Sequence, residues 1–183
     1  GNHTGCIGKV SALSFNGNKV ITTGGGGMIM TNDEDLAIRA KHLTTTAKVK
    51  QPWFFEHDEI GYNYRLPNLN ASIGLAQLEV LPNNLQNKRS LAIRYQQWGS
   101  ENGLNFVHEP VNTKSNYWLN TVITENKEQR DLMLKITNNN KVMTRPAWMP
   151  MHQLKMNCNF YKDQMVNTNW LYERLVNVPS SPL

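Results

Sequence analysis

The chain has 183 residues, 19 basic and 14 acidic side chains, a formal net charge of +5 and a mean hydropathy of −0.53. That length suits one domain or parts of two, in a polar, globular class of protein. The positive excess is modest and spread out, grouped only at Lys48 with Lys50 and at Lys88 with Arg89. No basic block carries interleaved aromatics, so nucleic acid is not an expected partner, while a small anionic molecule is compatible.

Gly1 is a candidate vector remnant. Asn2-His3-Thr4-Gly5 leads into a first strand with no helix or cap before it, an opening expected of the interior of a longer protein. Val10–Phe15 and Met28–Thr31 read as strands. Between them lie Lys19, Thr22, Thr23 and the run Gly24 to Gly27. Asn32-Asp33 reads as a helix N-cap, followed by acidic residues on the first turn and an apolar face of Leu36, Ala37, Ala40 and Leu43, ending near Thr44. The stretch 44–59 lacks helical period and carries Pro52-Trp53-Phe54-Phe55, which is expected to pack on the core or on a partner subunit.

Pro67 suits a helix start, with Asn68 or Asn70 as capping help. Leu69, Ile73, Leu75, Ala76, Leu78, Val80 and Leu81 predict a buried helix that Pro82 ends or kinks. A second helix is expected over 83–102, with Gly103 as its C′ residue. Beyond it, Leu104–Phe106, Tyr117–Thr124 and Val142–Thr144 read as strands, and Glu128–Thr137 and Asn167–Arg174 as helices. A proline-bracketed loop, Arg145–Pro150, lies between them, and the chain closes on Val176–Pro179. Residues 83–183 therefore predict a small α+β domain, distinct from 1–82.

A lysine on a tight loop between strands, beside hydroxyls and bare backbone, suits a reactive amine. The competing reading is a solvated lysine on a flexible turn. The glycine run is no Walker loop, because no Gly-Lys-Ser/Thr closes it, and no dinucleotide fingerprint, because no helix opens directly after it. Ser14, at a strand end five residues before Lys19, is placed to bind phosphate or is an ordinary strand-end serine. Cys6 and Cys158 form no CxxC and read as free thiols of a reducing compartment. The histidines are dispersed, so no metal site is expected. No apolar run approaches membrane-spanning length and no signal-peptide pattern occurs, so no membrane partner is expected.

Ser14-Phe15-Asn16-Gly17-Asn18-Lys19, with Gly24–Gly27 and Met28-Ile29-Met30-Thr31-Asn32, resembles the cofactor-lysine motif of the DegT/StrS-type sugar aminotransferases. His3-Thr4-Gly5 through Gly8 is similar to the stretch just before it. Gly61-Tyr62-Asn63-Tyr64-Arg65-Leu66-Pro67 resembles the family's second signature, which opens a long helix. Arg145-Pro146 with Trp148, and Asn169 through Ser181, resemble the branch acting in legionaminic-acid-type and related 4-amino-sugar pathways. Separated motifs in the right order cover essentially the whole chain.

The resemblance implies an α/β fold, the PLP-dependent transferase fold type I. Residues 1–82 would be the C-terminal part of the cofactor-binding large domain with the start of the connecting helices, and 83–183 a small C-terminal α+β domain. It implies pyridoxal 5'-phosphate on Lys19, a phosphate contact from Ser14, and another from Asn63 reaching in from the neighbouring subunit of a homodimer. Tyr64 and Arg65 would contact the substrate's nucleotide phosphates, although a structural salt bridge is an equal reading of Arg65. Arg145 and His152 would line the sugar pocket or serve packing. The implied reaction is transamination of a nucleotide-linked 4-keto-6-deoxy sugar with glutamate as amino donor. It would take place in the cytoplasm, in bacterial surface-polysaccharide or nonulosonic-acid biosynthesis. Family members are about twice this length, and no match to their pyridine-pairing aspartate or ring-stacking aromatic is found here. The chain is therefore expected to be a C-terminal half, inactive alone. The alternatives are a sugar dehydratase relative, in which histidine replaces the lysine, and a non-catalytic dimerising fragment.

Overall fold

The computed structural model describes residues 2–182; Gly1 and Leu183 lie outside the described residues. The chain divides into two compact units, Gly1–Pro82 and Asn83–Leu183.

In the first unit a 3-10 turn, Thr4–Cys6, is capped by His3, whose Nδ1 accepts the Gly5 N–H at 3.1 Å. A cap thus precedes the first strand, contrary to expectation: a histidine ring two residues back does what Ser or Asp usually does. Strands β1 (Ser11–Ser14) and β2 (Gly27–Met30) form an antiparallel ladder that pairs Ser11 with Met30 and Ser14 with Gly27. Helix α1 (Glu34–Thr44) starts where its charge pattern predicts, with the Asp33 carboxylate accepting the Leu36 N–H at 3.1 Å. The loop that follows folds back on the helix end. Tyr62 N–H donates to Leu43 O at 2.7 Å, and Tyr64 N–H to Thr44 O at 2.9 Å.

One expectation for this unit is narrowed and one fails. Trp53, Phe54 and Phe55 are exposed, so of the two expected packings, on the core or on a partner subunit, the core is not met within this chain. The helix after Pro67 is not buried here either: Leu69, Ile73, Leu75 and Leu78 all face out. A two-stranded hairpin offers too little apolar surface to cover that face.

Helix α2 (Asn68–Glu101) is one element and runs through Pro82 rather than ending there. Proline's fixed φ is itself helical, and in a helix of 34 residues the loss of one N–H donor leaves the ladder on both sides intact.

The second unit is built on a four-stranded antiparallel sheet in the order β3-β4-β6-β5. Its strands are β3 (Asn105–Phe106), β4 (Asn120–Ile123), β5 (Arg145–Pro146) and β6 (Leu175–Val178). Helix α3 (Lys127–Asn139) begins on a reciprocal cap. Asn126 Oδ1 accepts the Gln129 N–H at 2.8 Å, and Gln129 Oε1 accepts the Glu125 N–H at 2.7 Å. Helix α4 is Val166–Tyr172. The core gathers Phe106, Val122 and Val178, with Tyr95, Leu104 and Met133 packed against it. Lys88 is buried, and its Nζ donates to Ser180 O at 2.6 Å and Trp118 O at 3.3 Å. Burial pushes its pKa down.

Val142–Thr144 is not a strand. Lys141 has φ +63°, Val142 N–H returns to Thr137 O at 2.9 Å, and the Thr144 hydroxyl meets that of Thr137 at 2.6 Å. These bonds tie the stretch to the end of α3, and pairing with β6 begins only at Arg145. Among the described residues no helix is long and apolar enough to cross a membrane.

Candidate functional site

The loop between β1 and β2 is held at its base and open at its tip. Phe15 N–H donates to Gly26 O and Thr23 N–H to Phe15 O, both at 3.0 Å, while the Thr22 hydroxyl donates to Phe15 O at 3.1 Å. Beyond that base the chain makes a turn in which Lys19 N–H donates to Asn16 O at 3.0 Å. Asn16 N–H in turn lies 3.5 Å from Ser14 Oγ. Ser14 and Lys19 are therefore bound to the same residue, on one exposed turn; Ser14 is exposed and Lys19 half-buried.

The glycine run forms the other wall. Gly26 has φ +109°, and a Cβ there would lie 2.8 Å from the Leu66 side chain. Only glycine fits both the backbone and the contact. The Thr23 hydroxyl donates to Gly25 O, and Asn70 Nδ2 donates to Thr23 O at 2.6 Å. Thr22 N–H also reaches Gln77 Oε1 at 3.4 Å. Asn70 thus anchors the loop from the first turn of α2. Asn70 and Gln77 escaped the sequence reading: an asparagine three residues after a helix-starting proline carries the same signal whether it caps or anchors.

Asn63, Tyr64 and Arg65 lie on the extended segment before α2 and are all exposed. The Tyr62 and Tyr64 rings stack with centroids 5.1 Å apart. Because side chains alternate along an extended segment, Asn63 is set to the other side. Gly61 fixes the approach of this segment, since a Cβ there would sit 2.4 Å from Ala47 N and from Thr46 C. Leu66 then brings the segment against the glycine loop. Among the described residues no ion pair involves Arg65.

Arg145 and His152 belong to the second unit. Arg145 sits on edge strand β5, exposed, with Nη2 3.2 Å from Met143 Sδ. His152 is half-buried in a 3-10 turn, Met151–Gln153, with Nε2 3.0 Å from Asn169 Oδ1, which also accepts from Gln153 Nε2 at 2.9 Å. The two residues share a unit and, among the described residues, no common hydrogen-bond partner. Trp148 is exposed and stacks on Trp118 with centroids 6.2 Å apart.

His42, Asp58 and Glu59 present metal-type ligand atoms within 4.8 Å of one another. Arg39 already occupies both oxygens of Glu59, so the group is an ion-pair cluster. The hydrogen bond that Arg39 donates to Glu59 pulls the Glu59 carboxyl below its ordinary value and raises the Arg39 guanidinium.

The DegT/DnrJ/EryC1/StrS aminotransferase family matches residues 1–183. GDP-perosamine synthase of Escherichia coli O157:H7 is 37% identical over 187 aligned residues, which cover all of this chain and 49% of the relative. The aminotransferase TlmJ from Streptoalloteichus hindustanus superposes with a TM-score of 0.90 at 28% identity, over 99% of this chain and 49% of that one. The PLP-form of Spr1654 from Streptococcus pneumoniae superposes with a TM-score of 0.87 at 21% identity, over 99% of this chain and 49% of that one, a likeness of fold. The chain spans about half the length of the curated relatives it matches. Its mixed α/β architecture is that of the PLP-dependent sugar aminotransferases, as expected from the resemblance. The chain belongs to the DegT/DnrJ/EryC1/StrS aminotransferase family.

Proposed function

We propose that this chain supplies the lysine-bearing share of a PLP-dependent aminotransferase acting on a nucleotide-linked 4-keto-6-deoxy sugar, with glutamate as amino donor. The observation that carries the reading is the turn on which Asn16 binds both Ser14 and Lys19, walled by a glycine run in which Gly26 and Gly27 leave no room for a side chain. An amine for the cofactor's aldehyde, a hydroxyl for its phosphate and bare backbone beside them fit pyridoxal 5'-phosphate. In the domain assignment that goes with this reading, residues 1–82 belong to the cofactor-binding large domain and 83–183 form the small domain.

Each residue then has a definite task. Lys19 Nζ would hold the cofactor and would carry the proton to and from the substrate carbon as general acid and base. Ser14 Oγ donates to the phosphate. Asn63 donates to the phosphate of a second subunit, which makes a homodimer necessary for a complete pocket. The guanidinium of Arg65 pairs with the substrate diphosphate, beside Tyr64. Arg145 and His152 face the sugar. The cofactor, when bound, supplies the electron sink.

The test is transamination by the full-length product of the coding sequence that contains this chain. Glutamate and a nucleotide-linked 4-keto-6-deoxy sugar should yield 2-oxoglutarate and amino sugar, and Lys19→Ala should abolish both. Deoxygenated sugar without amine would overturn the reading in favour of dehydration chemistry. The 183-residue chain alone, given the same reagents, is expected to show no turnover, because residues for the pyridine nitrogen and the ring face are not found in its sequence.

A further inference from the structure

Arg39 and His42 lie one turn apart on α1, and both reach the acidic pair at the end of the loop that folds back on the helix. Arg39 grips both oxygens of Glu59, with Nη2 2.6 Å from Oε2. His42 Nε2 lies 2.7 Å from Asp58 Oδ1 and 3.4 Å from Glu59 Oε1. Immediately downstream the backbone is stitched to the end of the same helix. Tyr62 N–H donates to Leu43 O at 2.7 Å, Thr46 N–H to Tyr62 O at 3.0 Å, and Tyr64 N–H to Thr44 O at 2.9 Å. The side-chain cluster and this main-chain seam together fix where residues 63–65 project.

Magnitude decides what the cluster is for. The Arg39 and Glu59 side chains keep 55% and 31% of their surface exposed. Ion pairs that exposed add little to global stability. A bidentate guanidinium–carboxylate pair nevertheless has one preferred geometry, so it can set a register that it barely stabilises. We propose that Arg39, His42, Asp58 and Glu59 are positioning residues, a latch that holds the Asn63-Tyr64-Arg65 segment in the conformation that reaches the cofactor phosphate and the substrate diphosphate. What the segment touches rests on the function proposed above; the latch itself rests on the hydrogen bonds alone.

The experiment uses the full-length product and two readouts, amide hydrogen exchange and the dissociation constant of pyridoxal phosphate. Glu59→Gln should speed exchange at the Tyr62 and Tyr64 amides by about threefold, the size of one exposed ion pair's contribution. The Phe15 and Thr23 amides of the hairpin should be unchanged. Cofactor binding should weaken by up to about threefold, less than in Asn63→Ala, and adding Glu59→Gln to Asn63→Ala should cause no further loss, because the latch acts through that contact. Exchanging the pair, Arg39→Glu with Glu59→Arg, should restore both readouts. Unchanged exchange at Tyr62 and Tyr64 would overturn the latch. Faster exchange with unweakened cofactor binding, while Asn63→Ala does weaken it, would overturn the positioning role. No effect of Asn63→Ala on cofactor binding would overturn the proposed role of Asn63, and with it the positioning claim, while the exchange rates still report the latch separately.

Discussion

In the second unit Val122 and Val176 are fully enclosed and Phe106 nearly so; in the first, Trp53, Phe55, Ile60 and Leu69 each keep more than three quarters of their surface open. The sequences of both units carry apolar side chains at regular spacing. The difference lies in the partner surface available to each. Four paired strands and a flanking helix give the second unit a core of its own. The hairpin, α1 and the start of α2 give the first unit backbone seams and an ion-pair cluster, with only Ala47 buried among its described apolar residues. Periodicity thus records that a face is meant to be covered, without recording what covers it. Under the proposed function, the faces of the first unit are covered by the rest of the large domain and by a second subunit.

The contrast can be broken or sharpened by substitution. The largest effect is expected at Gly61, where an added Cβ meets backbone 2.4 Å away. Gly61→Ala should destabilise the first unit by about 3 kcal/mol, measured by denaturant unfolding, and should expose the Tyr62 amide. A smaller loss would mean that the seam yields, and that main-chain packing does not hold this unit. Val122→Ala removes two methyls from an enclosed site in the second unit and should lose about 2 kcal/mol. An effect near zero would deny that unit its independent core.

The third test uses pH. The hydrogen bond from Arg89, and then that from the Ser115 N–H, hold the Glu109 carboxyl down to about 2 from an ordinary 4.5. A carboxyl whose folded value is depressed adds stability that is fully present above the unfolded value and disappears as pH falls through the folded one. The second unit should therefore lose this contribution between about 4.5 and about 2, and Glu109→Gln should flatten that part of the stability profile. The smallest effect is expected for Phe55→Ser, within about 0.5 kcal/mol for the chain alone, because the ring is exposed and meets only the Lys48 ammonium, 4.1 Å from its centroid. The same change should weaken self-association of the full-length product, as sedimentation would show.

The elements were legible where local chemistry decides them. Asp33 before an amphipathic run, the helical run Glu128–Thr137 and the strand stretch that carries β4 each declare themselves in a few residues. The expectations failed where a helix outlasts a local stop signal or where a helix end captures the residues that follow it. Pro82 did not stop α2, because one missing donor is tolerated in a long helix. Val142–Thr144 lost strand pairing to the hydroxyl and carbonyl of Thr137. For the candidate site, Lys19, Ser14 and Asn63 could be named from motif order. The anchors Asn70 and Gln77 and the Arg39–Glu59 pair could not, since each joins residues more than a dozen positions apart and alternates with an equally good local role.

The central claim is that Lys19 carries the cofactor. The direct measurement is to load the full-length product with pyridoxal phosphate, reduce with borohydride, digest, and locate the phosphopyridoxyl label by mass spectrometry. The label should sit on the peptide containing Lys19, at one per chain, and should be absent from Lys19→Ala. A label on another lysine, or undiminished labelling in that variant, would contradict the account.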